Sequence, residues 1–191
     1  MTLKEIIKDC LRRIDEDIMD FSNLDVKEQV IINKLKTSIN YCYRKLARDK
    51  LCFHTKETIK LENNIFNTEY LINTFIKLKK VLDSEGNELI AKDIGDGEIR
   101  VETRDTNVTV YYYYQPSEVT GMSDEPTLPA RADPLIFSYY ASMDYLNMEG
   151  DNGERVKAQD QLGLFNDAWS NISVPVTCEK IFDNYGGGYD D

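Results

Sequence analysis

Histidine is almost absent from the chain: His54 is the only one in 191 residues, which excludes multi-histidine metal centres and leaves one candidate base for any serine or cysteine triad. The four cysteines, Cys10, Cys42, Cys52 and Cys178, form no CxxC pair. That spacing argues against a zinc site and against a disulfide framework, and buried free thiols are expected instead. No apolar run reaches the length of a signal core or a membrane span, so no membrane association and a cytoplasm-like site of synthesis are expected. P-loop, G-x-S-x-G and H-E-x-x-H motifs are missing, as is any internal repeat.

Basic residues are outnumbered by acidic ones, 23 against 34, and they are unevenly placed. Residues 1–60 hold thirteen Lys and Arg against ten Asp and Glu, residues 61–120 six against eleven, and residues 121–191 four against thirteen, for a total charge of −11. Most of such a surface repels a polyanion, because clustered Lys and Arg supply most non-specific affinity for nucleic acid. An acidic wall that lets DNA slide past without sticking has the same composition.

What is present is a regular alternation of helix and strand signals. Thr2 with Glu5 is a capping box, and Leu3, Ile6, Ile7, Cys10, Leu11, Ile14 and Ile18 make one apolar stripe, predicting a helix to about Asp20. After a short break at Phe21–Leu24, Asp25 with Glu28 caps a second helix to about Lys50, with Val26, Val30, Leu35, Ile39, Cys42 and Leu46 inward. So short a link predicts an antiparallel helical hairpin, residues 1–50. From Phe53 the period changes to two. Strands are expected at 53–61, 75–82, 88–91, 99–102 and 108–115, with turns at Asp83–Asn87 and Gly95-Asp96-Gly97, giving an antiparallel β meander over residues 51–116.

Pro116, Pro126, Pro129 and Pro134 mark a stiffened connector. Asp133 and Pro134 then open a third helix to about Met148 that is apolar nearly all round and therefore expected to be buried. A corner at Gly150–Gly153 leads to a fourth helix, about Glu154–Asn171, with Ala158, Leu162, Phe165, Trp169 and Ile172 as its seam. Residues 117–172 thus form a connector and helix pair completing a bundle, and residues 173–191 a C-terminal arm. The fold class is α+β: about four antiparallel helices, an inserted antiparallel sheet and an extended tail.

Few groups suggest chemistry. Cys52 and His54 lie two apart on one strand face and could in principle serve a thiol hydrolase, but nothing nearby supplies an oxyanion hole. The stretches Asp93–Gly97 and Asp151–Glu154 lack the spacing of a calcium loop and read as turns. Tyr111-Tyr112-Tyr113-Tyr114 is the most unusual local feature. Base-stacking platforms pair aromatics with basic residues, whereas the charges flanking these tyrosines along the chain are mainly acidic; Tyr111 and Tyr113 are therefore read as one face of a strand turned toward a protein partner. No catalytic residue, cofactor or metal is expected.

Taken in order, the pieces resemble the adaptor, or head-tail connector, proteins of tailed bacteriophages. A capped helical hairpin carrying Ile39-Asn40-Tyr41-Cys42-Tyr43-Arg44-Lys45-Leu46-Ala47 precedes a β region closing on Tyr113-Tyr114-Gln115-Pro116. Asp124-Glu125-Pro126-Thr127-Leu128-Pro129 and a helix pair with Tyr140-Ala141 and Gly150-Asp151 follow. The resemblance spans about residues 3–172 and is one of layout and short motifs. It implies a virion protein forming a ring, usually of twelve copies, between the portal and the next tail component, with DNA passing through without sequence-specific binding. The arm would order on the portal or a neighbour, with Cys178, Ile181, Phe182 and Tyr185 as anchors. The β region is larger than purely helical connectors carry, and reads as a module projecting toward tail fibres or a nozzle. Another tail part, a tail-completion or nozzle protein, is the alternative.

Overall fold

A computed structural model describes residues 1–18, 20–130, 132–149 and 152–172. The protein is α+β, with four helices and two antiparallel sheets inserted between the second and third. The chain divides into two compact units, Ala47–Ser117 and the remainder.

In the helical unit, α1 (Leu3–Arg13) begins as expected. Thr2 accepts from the Glu5 amide at 3.3 Å while the Glu5 carboxylate accepts from the Thr2 amide at 2.9 Å. The amides of Leu3 and Lys4 donate to the carbonyls of Asp124 and Met122, and that of Ile6 to Thr2, so all four N-terminal donors have acceptors. The helix stops seven residues short of Asp20. Asp15 turns into the left-handed region (φ 57°) and the Glu16 amide reaches back to the Leu11 carbonyl at 3.0 Å, a Schellman-type end. Continuing the helix would have placed Asp15, Glu16 and Asp17 on its negative pole.

Residues 14–25 therefore link α1 to α2 (Val26–Leu46), and the short-hairpin expectation is corrected: both helices pack mainly on α3 (Ile136–Glu149). The Asp25–Glu28 capping box is formed in both directions, at 2.7 and 2.8 Å. A π-helical turn, Ala47–Leu51, follows α2, in place of a continuous α-helix to Lys50. The inner stripe of α2 starts only at Ile32. Val26 and Val30, expected inside, are exposed, while Leu35, Ile39, Cys42 and Leu46 are buried.

Helix α3 is the centre of this unit and touches each of the other three helices. Ile136, Phe137, Ser138, Ala141 and Ser142 are fully enclosed, which is what an all-round apolar helix requires. It begins two residues after Pro134, with Asp133 accepting from the Leu135 amide at 2.9 Å. Helix α4 (Asn152–Ser170) buries Ala158, Phe165 and Ala168, and Ile172 just beyond it. Leu162, assigned to its seam, is exposed instead. The expected corner at Gly150–Gly153 lies partly, and the C-terminal arm wholly, outside the described residues.

The β unit is antiparallel throughout, as expected, but is divided between two sheets in place of one meander. The four-stranded sheet has the order β1 (His54–Lys60), β7 (Asn107–Gln115), β3 (Thr74–Leu82), β4 (Glu88–Leu89), and the three-stranded one β2 (Ile65–Asn67), β6 (Glu98–Val101), β5 (Ala91–Gly95). Strand β2 follows a two-residue turn, Asn63-Asn64, with both residues left-handed, the I′ geometry that hairpins favour. Asp96-Gly97 makes the same turn between β5 and β6. Phe66, Leu71, Val81, Ile99, Val101, Val108, Val110 and Tyr112 fill one apolar cluster shared by both sheets.

Candidate functional site

The tyrosine run lies on β7, the strand flanked by β1 and β3, and the pleat sends alternate rings to opposite faces. Tyr112 and Tyr114 face the apolar cluster. The Tyr112 hydroxyl donates to the Glu57 carboxylate, which also accepts from the Ile72 amide at 3.1 Å, and the Asn73 amide donates to the Tyr112 oxygen at 3.3 Å. Burial, then the Glu57 acceptor, raises the pKa of this phenol.

Tyr111 and Tyr113 occupy the other face, as expected, yet neither is open. Tyr113 is only 6% exposed and Tyr111 half-buried. The Lys80 ammonium lies 4.9 Å from the Tyr111 ring centre and Lys79 5.7 Å from that of Tyr113, while His54 meets Tyr113 edge-on at 6.1 Å. Register places Lys56 and Lys80 on either side of Tyr111, and His54 and Lys77 on either side of Tyr113. The flanking charges are therefore basic, which corrects the expectation drawn from chain neighbours. Lys60 continues the face along β1. No strand position sharing this face on β1, β7 or β3 carries an acid; Glu88 of β4, opposite Leu82, reaches only its far edge. The result is a lysine face on a sheet whose unit holds ten basic against twelve acidic residues, in a chain whose helical unit holds thirteen against twenty-two. Ammonium groups over the rings add roughly 0.5–1 kcal/mol each at exposed sites. They also cover the ring faces that base stacking would need.

Cys10 and Cys42 are free and buried, and burial pushes both thiols up, Cys10 to about 12. Such thiols are inert as nucleophiles. Cys52 is disulfide-bonded, where a free thiol was expected. A sulfur so held is not a thiolate, and His54, exposed on β1, has no nucleophile at Cys52 to activate. Asp93 and Gly95 form the β5–β6 hairpin, with the Gly95 amide donating to Asp93 at 2.9 Å. Among the described residues, no cluster of three or more His, Cys, Asp or Glu could hold a metal ion, and no helix is long and apolar enough to cross a membrane. Of the named arm anchors, Cys178, Ile181, Phe182 and Tyr185 all lie outside the described residues.

Two further groupings in the helical unit escaped sequence reasoning. Asp9, buried on α1, accepts from Arg13 Nε at 2.6 Å, from Ser138 Oγ on α3 at 2.7 Å, and from Arg12. Arg13 extends this to Gln161 on α4 at 3.1 Å and lies 4.5 Å over the Tyr139 ring. Burial raises the Asp9 pKa, but Ser138 and the two arginines outweigh it and hold the carboxyl below its usual range. An aromatic ladder runs Tyr41, Tyr140, Phe165, Trp169 at centroid steps of 5.8, 5.3 and 5.5 Å, with Lys45 over Trp169.

No family model matches the chain, and no curated protein is significantly similar to it.

Proposed function

We propose that this chain is a structural subunit of the tailed-bacteriophage head-tail junction: an adaptor that forms a ring, usually of twelve copies, between the portal and the next tail component. In this reading it works by binding alone and performs no chemistry. It is made in the host cytoplasm and ends in the virion at the head-tail interface. DNA passes through the ring without being read.

The observation that carries the reading is the order of elements. Helices α1 and α2 come before the β insertion and α3 and α4 after it, and all four close into one helical unit around α3. The connector supports it as well. Asn40 on α2 exchanges two hydrogen bonds with the Val119 backbone, at 3.0 and 2.9 Å, and the Tyr43 hydroxyl accepts from the Thr127 amide at 3.0 Å. Both residues belong to the Ile39–Ala47 motif, and Thr127 to the Asp124–Pro129 motif, so two of the pieces on which the resemblance rests are bonded to one another. The acidic balance suits a channel wall that does not retain DNA.

The test is to mix the purified chain with portal rings and view the product by negative-stain electron microscopy. A second ring layer beneath the portal is expected. A chain that remains monomeric in the presence of portal overturns the proposal.

A further inference from the structure

The lysine face of the four-stranded sheet is a single-sign patch that an adaptor reading alone does not use. Lys56 and Lys60 on β1 and Lys79 on β3 are exposed, and Lys80 is half-buried over Tyr111. Register places Lys56 and Lys80 on either side of Tyr111, two strand spacings or about 9.6 Å apart, which is within the Debye length of about 10 Å at about 0.1 M salt, so these ammonium groups repel one another. A patch of like charge on a pleated surface is stabilised by an anionic surface laid against it.

We infer that the occupant of this face is the acidic helical unit of a second copy of the chain. The inference rests on the ring reading and deepens it by naming the contact. Charge complementarity carries it: the β unit of one copy presents lysines from the two strands that flank β7 with no acid between them, and the helical unit of the next has nine more acidic than basic residues, thirteen against twenty-two. Its densest acidic stretch, Asp15, Glu16, Asp17 and Asp20, is exposed in the α1–α2 link, and of these Asp15 is paired with Lys157 of α4, which leaves Glu16, Asp17 and Asp20 to meet a neighbour. Two different surfaces meeting in this way make a heterologous, head-to-tail contact, the kind that closes into a ring when the rotation permits. Nucleic acid fits the same face less well, because the tyrosine rings are capped by ammonium groups and the rest of the chain is acidic.

The experiment measures the mass of the full-length chain by light scattering after gel filtration. At about 0.1 M salt, where the Debye length is about 10 Å, assembly is expected; at about 1 M, where it is about 3 Å, the mass falls toward that of the single chain. The variant Lys56→Glu, Lys60→Glu, Lys79→Glu is expected to stay monomeric at low salt with an unchanged circular dichroism spectrum. So is Glu16→Lys, Asp17→Lys, Asp20→Lys, and an equal mixture of the two variants recovers assembly. If a variant fails to fold, the salt series of the unaltered chain still reads the contact. Assembly that is indifferent to salt and to the lysine substitutions overturns this inference and leaves the ring reading standing. An unaltered chain that never assembles, with or without portal, overturns both. A monomer that instead retains a DNA duplex through these lysines assigns the face to nucleic acid and overturns the inference.

Discussion

Asp9 in the helical unit and Glu57 in the β unit are both carboxylates drawn inward, but they do different work. Asp9 joins two helices far apart in sequence, α1 and α3, through Ser138, and through Arg13 reaches α4. Glu57 accepts the Tyr112 hydroxyl from the neighbouring strand, where seven residue pairs of the β1–β7 ladder already fix the register. A helix satisfies its own backbone and says nothing about its neighbour's position, so helical packing needs side-chain contacts to be specific. A strand is placed by its partner's backbone. Polar links between elements should therefore matter more in the helical unit than in the β unit.

The largest expected effect is at the centre of the helical unit. Phe137 is fully enclosed on α3 and meets Tyr43 of α2 edge-on at 5.8 Å. Phe137→Ala is expected to cost about 3–5 kcal/mol in chemical denaturation, the usual range for emptying an aromatic site. A loss below about 1 kcal/mol would mean that α3 is not the core.

Asp9→Ala comes next, at about 3 kcal/mol, because it leaves Arg13 partly buried without its partner. The pH dependence has a definite sign. Asp9 is depressed below its ordinary 3.8, so its contribution is complete above that value and disappears as pH falls through the lower folded pKa. The gap between the native protein and Asp9→Ala should be constant near neutrality and close only in strong acid. A gap that closes between pH 5 and 7 would contradict the assignment.

Tyr112→Phe is the matching change in the β unit, and is expected to cost only about 1–2 kcal/mol, since the ring stays packed and only the two hydrogen bonds of its hydroxyl, to Glu57 and from the Asn73 amide, are lost. If it costs more than Asp9→Ala, the contrast between the units fails. The smallest effect belongs to Leu162→Gln, expected to fall within about 0.5 kcal/mol because that residue is exposed on α4. A cost near that of Phe165→Ala would restore Leu162 to the seam.

Much of the β unit was legible because a strand's period of two is tied to which face is covered. The alternation from His54 to Lys60 reappears without error as exposed and half-buried positions. Strand order was not legible: nothing in the sequence of β7 says that its neighbours are β1 and β3. For that reason the lysines around Tyr111 and Tyr113 were invisible, being neighbours across strands and not along the chain.

In the helical unit the caps at Thr2 and Asp25 were legible, because each is closed by a residue three positions on. The apolar stripes were less so. Val26, Val30 and Leu162 have the right spacing, but a helix buries only the part of its stripe that a neighbour covers. Asp9 carried a visible i,i+4 partner in Arg13, yet the other donor that compensates its burial, Ser138, lies 129 residues away.

The most direct test of the proposed role is native mass spectrometry of the full-length chain, alone and with portal rings. A closed multiple of the chain, formed on or bound to the portal ring in fixed stoichiometry, is the predicted result. A single copy at every concentration, unchanged by portal, would contradict it.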